Sequence, residues 1–211
     1  MISKEDVELV AEAARHVPPA SGNYIELDFI MNLFETVLDY QMSTTAVVRA
    51  LQFFRDNRWD DIRSGDDLEL TLASFPSDKE GNLSLAQHLW GYNLWTRAQQ
   101  LRDLTFHFRQ IGVTDQGSLK RWAEESSFET HFQGRVKGLG IAVYHWLVMR
   151  QGVDTVKPDV HVRRFAEKAV GRSLNNQGVV DVVVGAAHTL GMKAYELDWA
   201  IWEASREGLL E

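Results

Sequence analysis

Two stretches of the chain hold residues of the types and spacing that chemistry needs. In Val136-Lys-Gly-Leu-Gly140, glycines at 138 and 140 flank a leucine, with Arg135 and Lys137 beside them. Glycine permits the positive-φ backbone of a tight turn between helices and lets another backbone approach closely. The amides at Gly138 and Gly140, with the first turn of the following helix, would then point at one spot and form an anion site. Leu139 is expected to plug into the core and fix the angle between the flanking helices. The plainer reading is an ordinary turn between two helices with no ligand. About twenty residues downstream, Pro158 pushes Lys157 out of helical geometry, so Asp159 stands at the start of a new helix. Aspartate there is a good N-cap, which is again the plainer reading. The positive end of a helix also favours a negative charge, and an ionised, partly dry carboxylate can stabilise a sugar cation or orient a water. A turn that holds a phosphate, with an acid downstream, suits chemistry on a nucleic acid.

The bulk numbers bound the rest. With 211 residues and 45% apolar content, the chain can bury a sizeable core in one domain or two tightly packed lobes. It has no cysteine, which excludes disulfides, thiolate zinc sites, cysteine-ligated iron–sulfur clusters and a cysteine nucleophile. The seven histidines show no convincing metal-ligand spacing, so no catalytic metal is expected. The N-terminal segment lacks a signal-peptide apolar core, and no apolar run reaches membrane-spanning length. We expect a cytoplasmic protein, nucleoid-associated if the source is bacterial, with no membrane partner. The net charge of −8 opposes binding to nucleic acid. Its distribution is uneven, however. Between His131 and Arg172 eight basic residues face three acids, a local charge of +5 that can guide a polyanion.

The elements that must position these residues read as nearly all helix. Ser3-Lys-Glu-Asp6 resembles a capping box ahead of Val7 and Val10. Further helices are predicted over 27–40, from a Ser43 cap with Val47, Val48, Leu51 and Phe54 inward, and over 66–75. Pro76 to Asn82 reads as a polar loop, and 95–111 as a long amphipathic helix ending at Gly112. Short helices follow over 119–125 and 128–136. After the hairpin come 141–151, a turn at Gly152, and helices from Asp159 to Gly171, over 178–190 and over 194–206. The β-branched run Val179 to Val184 could pass for a strand, but its length and neighbours favour a buried helix. Glu196 and Asp198 are expected on the surface of the last helix.

The hairpin and the acid together resemble the helix-hairpin-helix DNA glycosylase superfamily, the endonuclease III and alkyladenine glycosylase group. The family's Leu-x-Gly-Val-Gly hairpin, helix, turn and helix-starting Asp are matched by Val136 to Gly140, the helix over 141–151 and Pro158-Asp-Val-His-Val162. Gly91 to Ala98 looks like the family's element that opens a helix upstream. Leu38 to Thr44 looks like the segment whose polar residue, here Gln41, enters the gap left by a flipped base. The resemblance implies an all-α fold of two helical lobes with a helix-hairpin-helix motif and an inter-lobe cleft. Residues 24–151 would form a six-helix core lobe ending in the hairpin motif. Residues 1–23 with 152–211 would form the second lobe, carrying Asp159.

It also implies base-excision repair: a glycosylase that releases a damaged base from double-stranded DNA with Asp159 as the catalytic carboxylate, acting as a monomer. Bifunctional members carry a lysine two residues after the second hairpin glycine. Here that position is Ala142, which implies a monofunctional enzyme without lyase chemistry. Gly138, Leu139, Gly140, Lys137, Arg163, Arg164 and Gln41 would contact DNA, and His161 would support the acid. Arg163 and Arg164 read equally well as a solvated face, and His161 as a half-buried structural residue. Trp90, Tyr92, Trp95, Tyr144 and Trp146 would line a base pocket, or are plain core aromatics. No organic cofactor is implied, and a monovalent cation at the hairpin carbonyls is implied by resemblance alone. The rival from another class is a non-catalytic helix-hairpin-helix DNA-binding protein.

Overall fold

A computed structural model describes residues 2–22, 28–39 and 42–210. Among the described residues the chain is all-helical, with no strand. The helices are α1 (Lys4–Ala14), α2 (Phe29–Leu38), α3 (Thr44–Asn57), α4 (Gly65–Ala73), α5 (Lys79–Trp90), α6 (Trp95–Gln110), α7 (Gln116–Glu125), α8 (Ile141–Arg150), α9 (Val160–Val170), α10 (Asn176–Thr189) and α11 (Ala194–Arg206). A five-residue π-helical turn, Phe128–Phe132, precedes the hairpin. Among the described residues, no helix is long and apolar enough to cross a membrane.

The chain divides into two compact units, a central one, Glu26–Gly140, and a terminal one, Met1–Ile25 with Ile141–Glu211. In the central unit, short polar side chains start the helices by accepting from first-turn amides that have no intrahelical partner. Asp28 accepts from Met31 N at 2.8 Å, Asp78 from Gly81 N at 2.8 Å and Asp115 from Ser118 N at 2.7 Å. The core is aromatic. Phe34 meets Phe54 and Trp90 edge-on at 4.7 and 5.4 Å, and Phe108 meets Trp122 at 4.9 Å. Helix α5 packs on α6 and α3, and α2 packs on α6 and α3.

The terminal unit has an aliphatic core instead. Helix α1 lies against α10 and α9, and α9, α10 and α11 pack pairwise. Val10, Val162, Val179, Val183, Leu197 and Ile201 are almost fully buried in it. The run Val179 to Val184 is helical, and a stripe wide enough to bury four of its valines explains its strand-like composition.

Several elements differ from the sequence expectation. The polar loop predicted up to Asn82 ends at Asp78, which caps α5, a helix absent from the sequence expectation. Helix α7 starts at Gln116 rather than 119, because Asp115 and Ser118 close a capping box there. The helix predicted over 128–136 is only the π turn, after which Gly134, at φ +73°, breaks the geometry. Val48 points outward, at 57% exposure, while Val47 and Leu51 face the core. Asp198 is buried, not on the surface. The central unit ends at Gly140 rather than 151, and the helix Ile141–Arg150 goes with the terminal unit.

Candidate functional site

The glycine turn over 136–140, ahead of α8, closes the central unit. Gly138 takes φ +87°, a left-handed conformation that side-chain-bearing residues rarely adopt, whereas Gly140 does not. The turn is held by Leu139 N–H donating to Val136 O at 3.2 Å, and Leu139 is buried at 4% exposure. Gln100 of α6 supports it from below, its Nε2 donating to Lys137 O at 3.1 Å. A Cβ at position 138 would lie 2.7 Å from that same Nε2, so a larger residue there would displace the Gln100 amide. The Gly138 and Gly140 amides donate to no partner among the described residues. Lys137 is exposed with its ammonium unpaired among them. A monovalent cation here would share the Val136 and Lys137 carbonyls with the protein donors that already occupy them.

Asp159 belongs to the terminal unit and caps α9. Its Oδ1 accepts from His161 N at 2.8 Å and Val162 N at 3.1 Å. Its Oδ2 has no protein partner among the described residues, and the side chain is half-buried. The irregular strap from α8 that delivers Asp159 is pinned along its length. Asp154 Oδ1 accepts from Ala194 N at 2.6 Å, and Thr155 Oγ1 bonds His145 Nδ1 at 2.9 Å with both residues buried. Val156 is fully buried, and Lys157 N donates to the buried Asp198 Oδ2 at 2.7 Å. Burial pushes the Asp154 carboxyl up, but the Ala194 amide, His188 and Lys193 outweigh it and hold the group below the usual carboxylate range.

The remaining predicted residues are scattered in role. His161 Nδ1 bonds Ser205 Oγ at 2.7 Å and so ties α9 to α11. Arg163 is used inside its own unit. Its guanidinium bonds Leu174 O and Asn176 Oδ1 and pairs with Glu167 at 3.4 Å. Arg164 is exposed and has no partner among the described residues. Tyr144 is buried at 5% exposure against the His145 ring. Two residues on, Trp146 points to another side of α8 and carries the Arg150 guanidinium and the Lys157 ammonium 4.9 and 4.8 Å from its ring centre. Trp95 opens α6 in the central unit, half-exposed, with Lys79 over its ring at 5.8 Å. Trp90 is fully buried in that unit's core. Gln41 lies outside the described residues. No group of three His, Asp or Glu that could hold a metal is present among the described residues.

Asp154, His145, Thr155, Asp198 and Gln100 do the positioning, and sequence reasoning missed all five. One of them left a signal. Ala194, Leu197, Asp198 and Ile201 fall at i, i+3, i+4 and i+7, so Asp198 sits in the apolar stripe of α11.

A family model described as a domain of unknown function, DUF8548, matches residues 93–206, more than half of the chain. The chain belongs to the DUF8548 family. No curated protein and no solved structure matches it significantly. The DUF8548 region runs from just before α6 to the end of α11 and contains both the hairpin and Asp159. It leaves out α1 to α5.

Proposed function

We propose that this chain is a monofunctional DNA glycosylase of the helix-hairpin-helix kind, releasing a damaged base from duplex DNA. The observation that carries the reading is Asp159. One carboxylate oxygen is fixed by two backbone amides, the other is left without a protein partner, and the strap before it is anchored at four points. That is how a charged group is held in place for a task outside its own helix. The unused amides at Gly138 and Gly140 support phosphate binding at the hairpin. A damaged nucleotide is flipped out of the stack, at a cost of a few kcal/mol that is least for a weakly paired base. Asp159 steadies the oxocarbenium-like sugar and takes a proton from the attacking water. The glycosidic electron pair leaves with the base, and water adds at the anomeric carbon to give an abasic site. Ala142 supplies no amine, so no Schiff base forms and the strand stays intact. Alkylated purines are the first substrate class to try, since cationic bases stack on electron-rich rings.

The capping role of Asp159 favours one alternative, a DNA-binding module in which that residue is purely structural. Asp159→Asn separates the two, because asparagine caps a helix as well as aspartate does and removes only the charge. The protein is incubated with duplexes carrying alkylated, deaminated or oxidised bases, and abasic sites are cut with alkali. The glycosylase reading expects cleavage by the wild type and its loss in Asp159→Asn with DNA affinity retained. Binding without base release from any duplex would establish the binding module instead.

A further inference from the structure

We infer that a hollow between α9 and α11 holds a backbone phosphate of the bound DNA, with Arg164 and Lys168 as its cationic walls. The inference rests on the DNA reading above and adds a contact site to it. Most other cations of the terminal unit are in use. Arg163 and Arg172 are paired, the latter with Asp6 at 2.6 Å, and Lys193 lies 3.7 Å from Asp154. Arg150 and Lys157 lie over Trp146, and Arg206 over Trp202. Lys4 and Arg15 meet Glu8 and Glu12. Among the described residues of this unit, Arg164 is the cation left with no partner, and Lys168 meets only the Leu210 carbonyl at 3.2 Å.

Arg164 and Lys168 stand four residues apart, so they share a face of α9 with His161. That face lines a hollow of about 110 Å³ together with Phe165, Ser205 and Leu210, and no acid lines it among the described residues. The nearest acid on the helix, Glu167, is turned away and holds Arg163 and the Leu174 amide. Like charges at this spacing repel by a few tenths of a kcal/mol, and an anion between them would relieve that. Lys168, in the last turn, also complements the helix dipole, but Arg164 lies too far from the C-terminus to do so. Phe165 and Leu210 give the hollow an apolar wall suited to the edge of a deoxyribose, which favours a nucleic-acid phosphate over a free anion. The site lies on the helix that Asp159 caps, within two to three turns of it.

The test is the salt dependence of duplex binding for the full chain. Each lost phosphate contact lowers the slope of log K against log[salt] by about 0.9 on B-DNA. Arg164→Ala is expected to lower the slope by that amount and Arg164→Glu to weaken binding further. The double variant with Lys168→Ala should lose several-fold more affinity, equally for damaged and undamaged duplex, because a phosphate contact reads no sequence. Thermal melting controls for folding, which an exposed, unpartnered Arg164 does not support. Wild-type slope and affinity in these variants, with a reduced slope in Lys137→Ala, would overturn the inference and leave the DNA reading standing. Absence of duplex binding by the wild type would overturn both.

Discussion

At the scale of single residues, identity predicts use poorly, and burial decides it. Arg163 and Arg164 are neighbours of the same type, yet the first joins α9 to the start of α10 and the second faces solvent. Arg163→Ala is therefore expected to destabilise the protein by about 1–2 kcal/mol, the scale of lost charge-assisted hydrogen bonds, read as a lower urea midpoint. Asp198 is a stronger case. It is 2% exposed and accepts the Lys157 amide. Asp198→Ala leaves the half-buried Lys157 amide without its acceptor and should cost about 1–3 kcal/mol, and Asp198→Asn, which keeps an acceptor, should cost less. If both variants melt with the wild type, the strap is not held as described. Asp159 was legible because proline before an acid marks a helix start. That Arg163 is occupied was not, since its partners Leu174 O and Asn176 come from a loop and the first turn of α10, brought back by tertiary folding.

At the scale of elements, most helices could be read from caps and periodicity, and the exception is instructive. Pro76-Ser-Asp-Lys-Glu-Gly-Asn82 has the composition of a turn, yet α5 begins inside it. Gly81 is not there for flexibility. A Cβ at that position would stand 2.0 Å from the Pro76 carbonyl oxygen. Asn82 is not a turn residue either. It is buried, donates to Ser77 O and Gln99 Oε1, and accepts from Arg102 Nε at 2.8 Å. Local composition could not reveal this, because the Gln99 and Arg102 partners sit on the next helix. Gly81→Ala must shift backbone and is expected to cost about 1–3 kcal/mol, while Asp78→Ala removes the cap for about 1 kcal/mol. Both should appear as lower melting temperatures, with Gly81→Ala the more damaging. The Gly138 segment was legible as a turn with a buried leucine. Which glycine takes the left-handed conformation was not.

For the whole molecule, the local charge of +5 overstates what a polyanion would meet, since Arg150 is buried and Arg163 and Arg172 are paired internally. Any DNA binding should therefore show a shallower salt slope than eight cations would give. Acid should weaken both units. The Ser3 amide, and after it the Ser3 hydroxyl and Arg172, hold Asp6 below the usual carboxylate range against the opposing effect of burial. The Ser64 hydroxyl does the same for Asp67, and the Ser118 amide for Asp115. A folded pKa below the unfolded one contributes stability that is fully present above the unfolded value, about 3.9. That stability is lost as pH falls through the lower folded values. Melting temperature should hold from pH 7 to about 5 and drop below 4, and Asp6→Asn should flatten the drop.

The strap before Asp159 has a consequence of its own. A stretch without helical repeat would ordinarily trade its amide protons with solvent within seconds, but the Lys157 amide is locked onto a carboxylate that water barely reaches. In deuterium oxide that proton should persist alongside those of the flanking helices and vanish only when the terminal unit opens as a whole, so that this connector behaves as part of the cooperative folding unit.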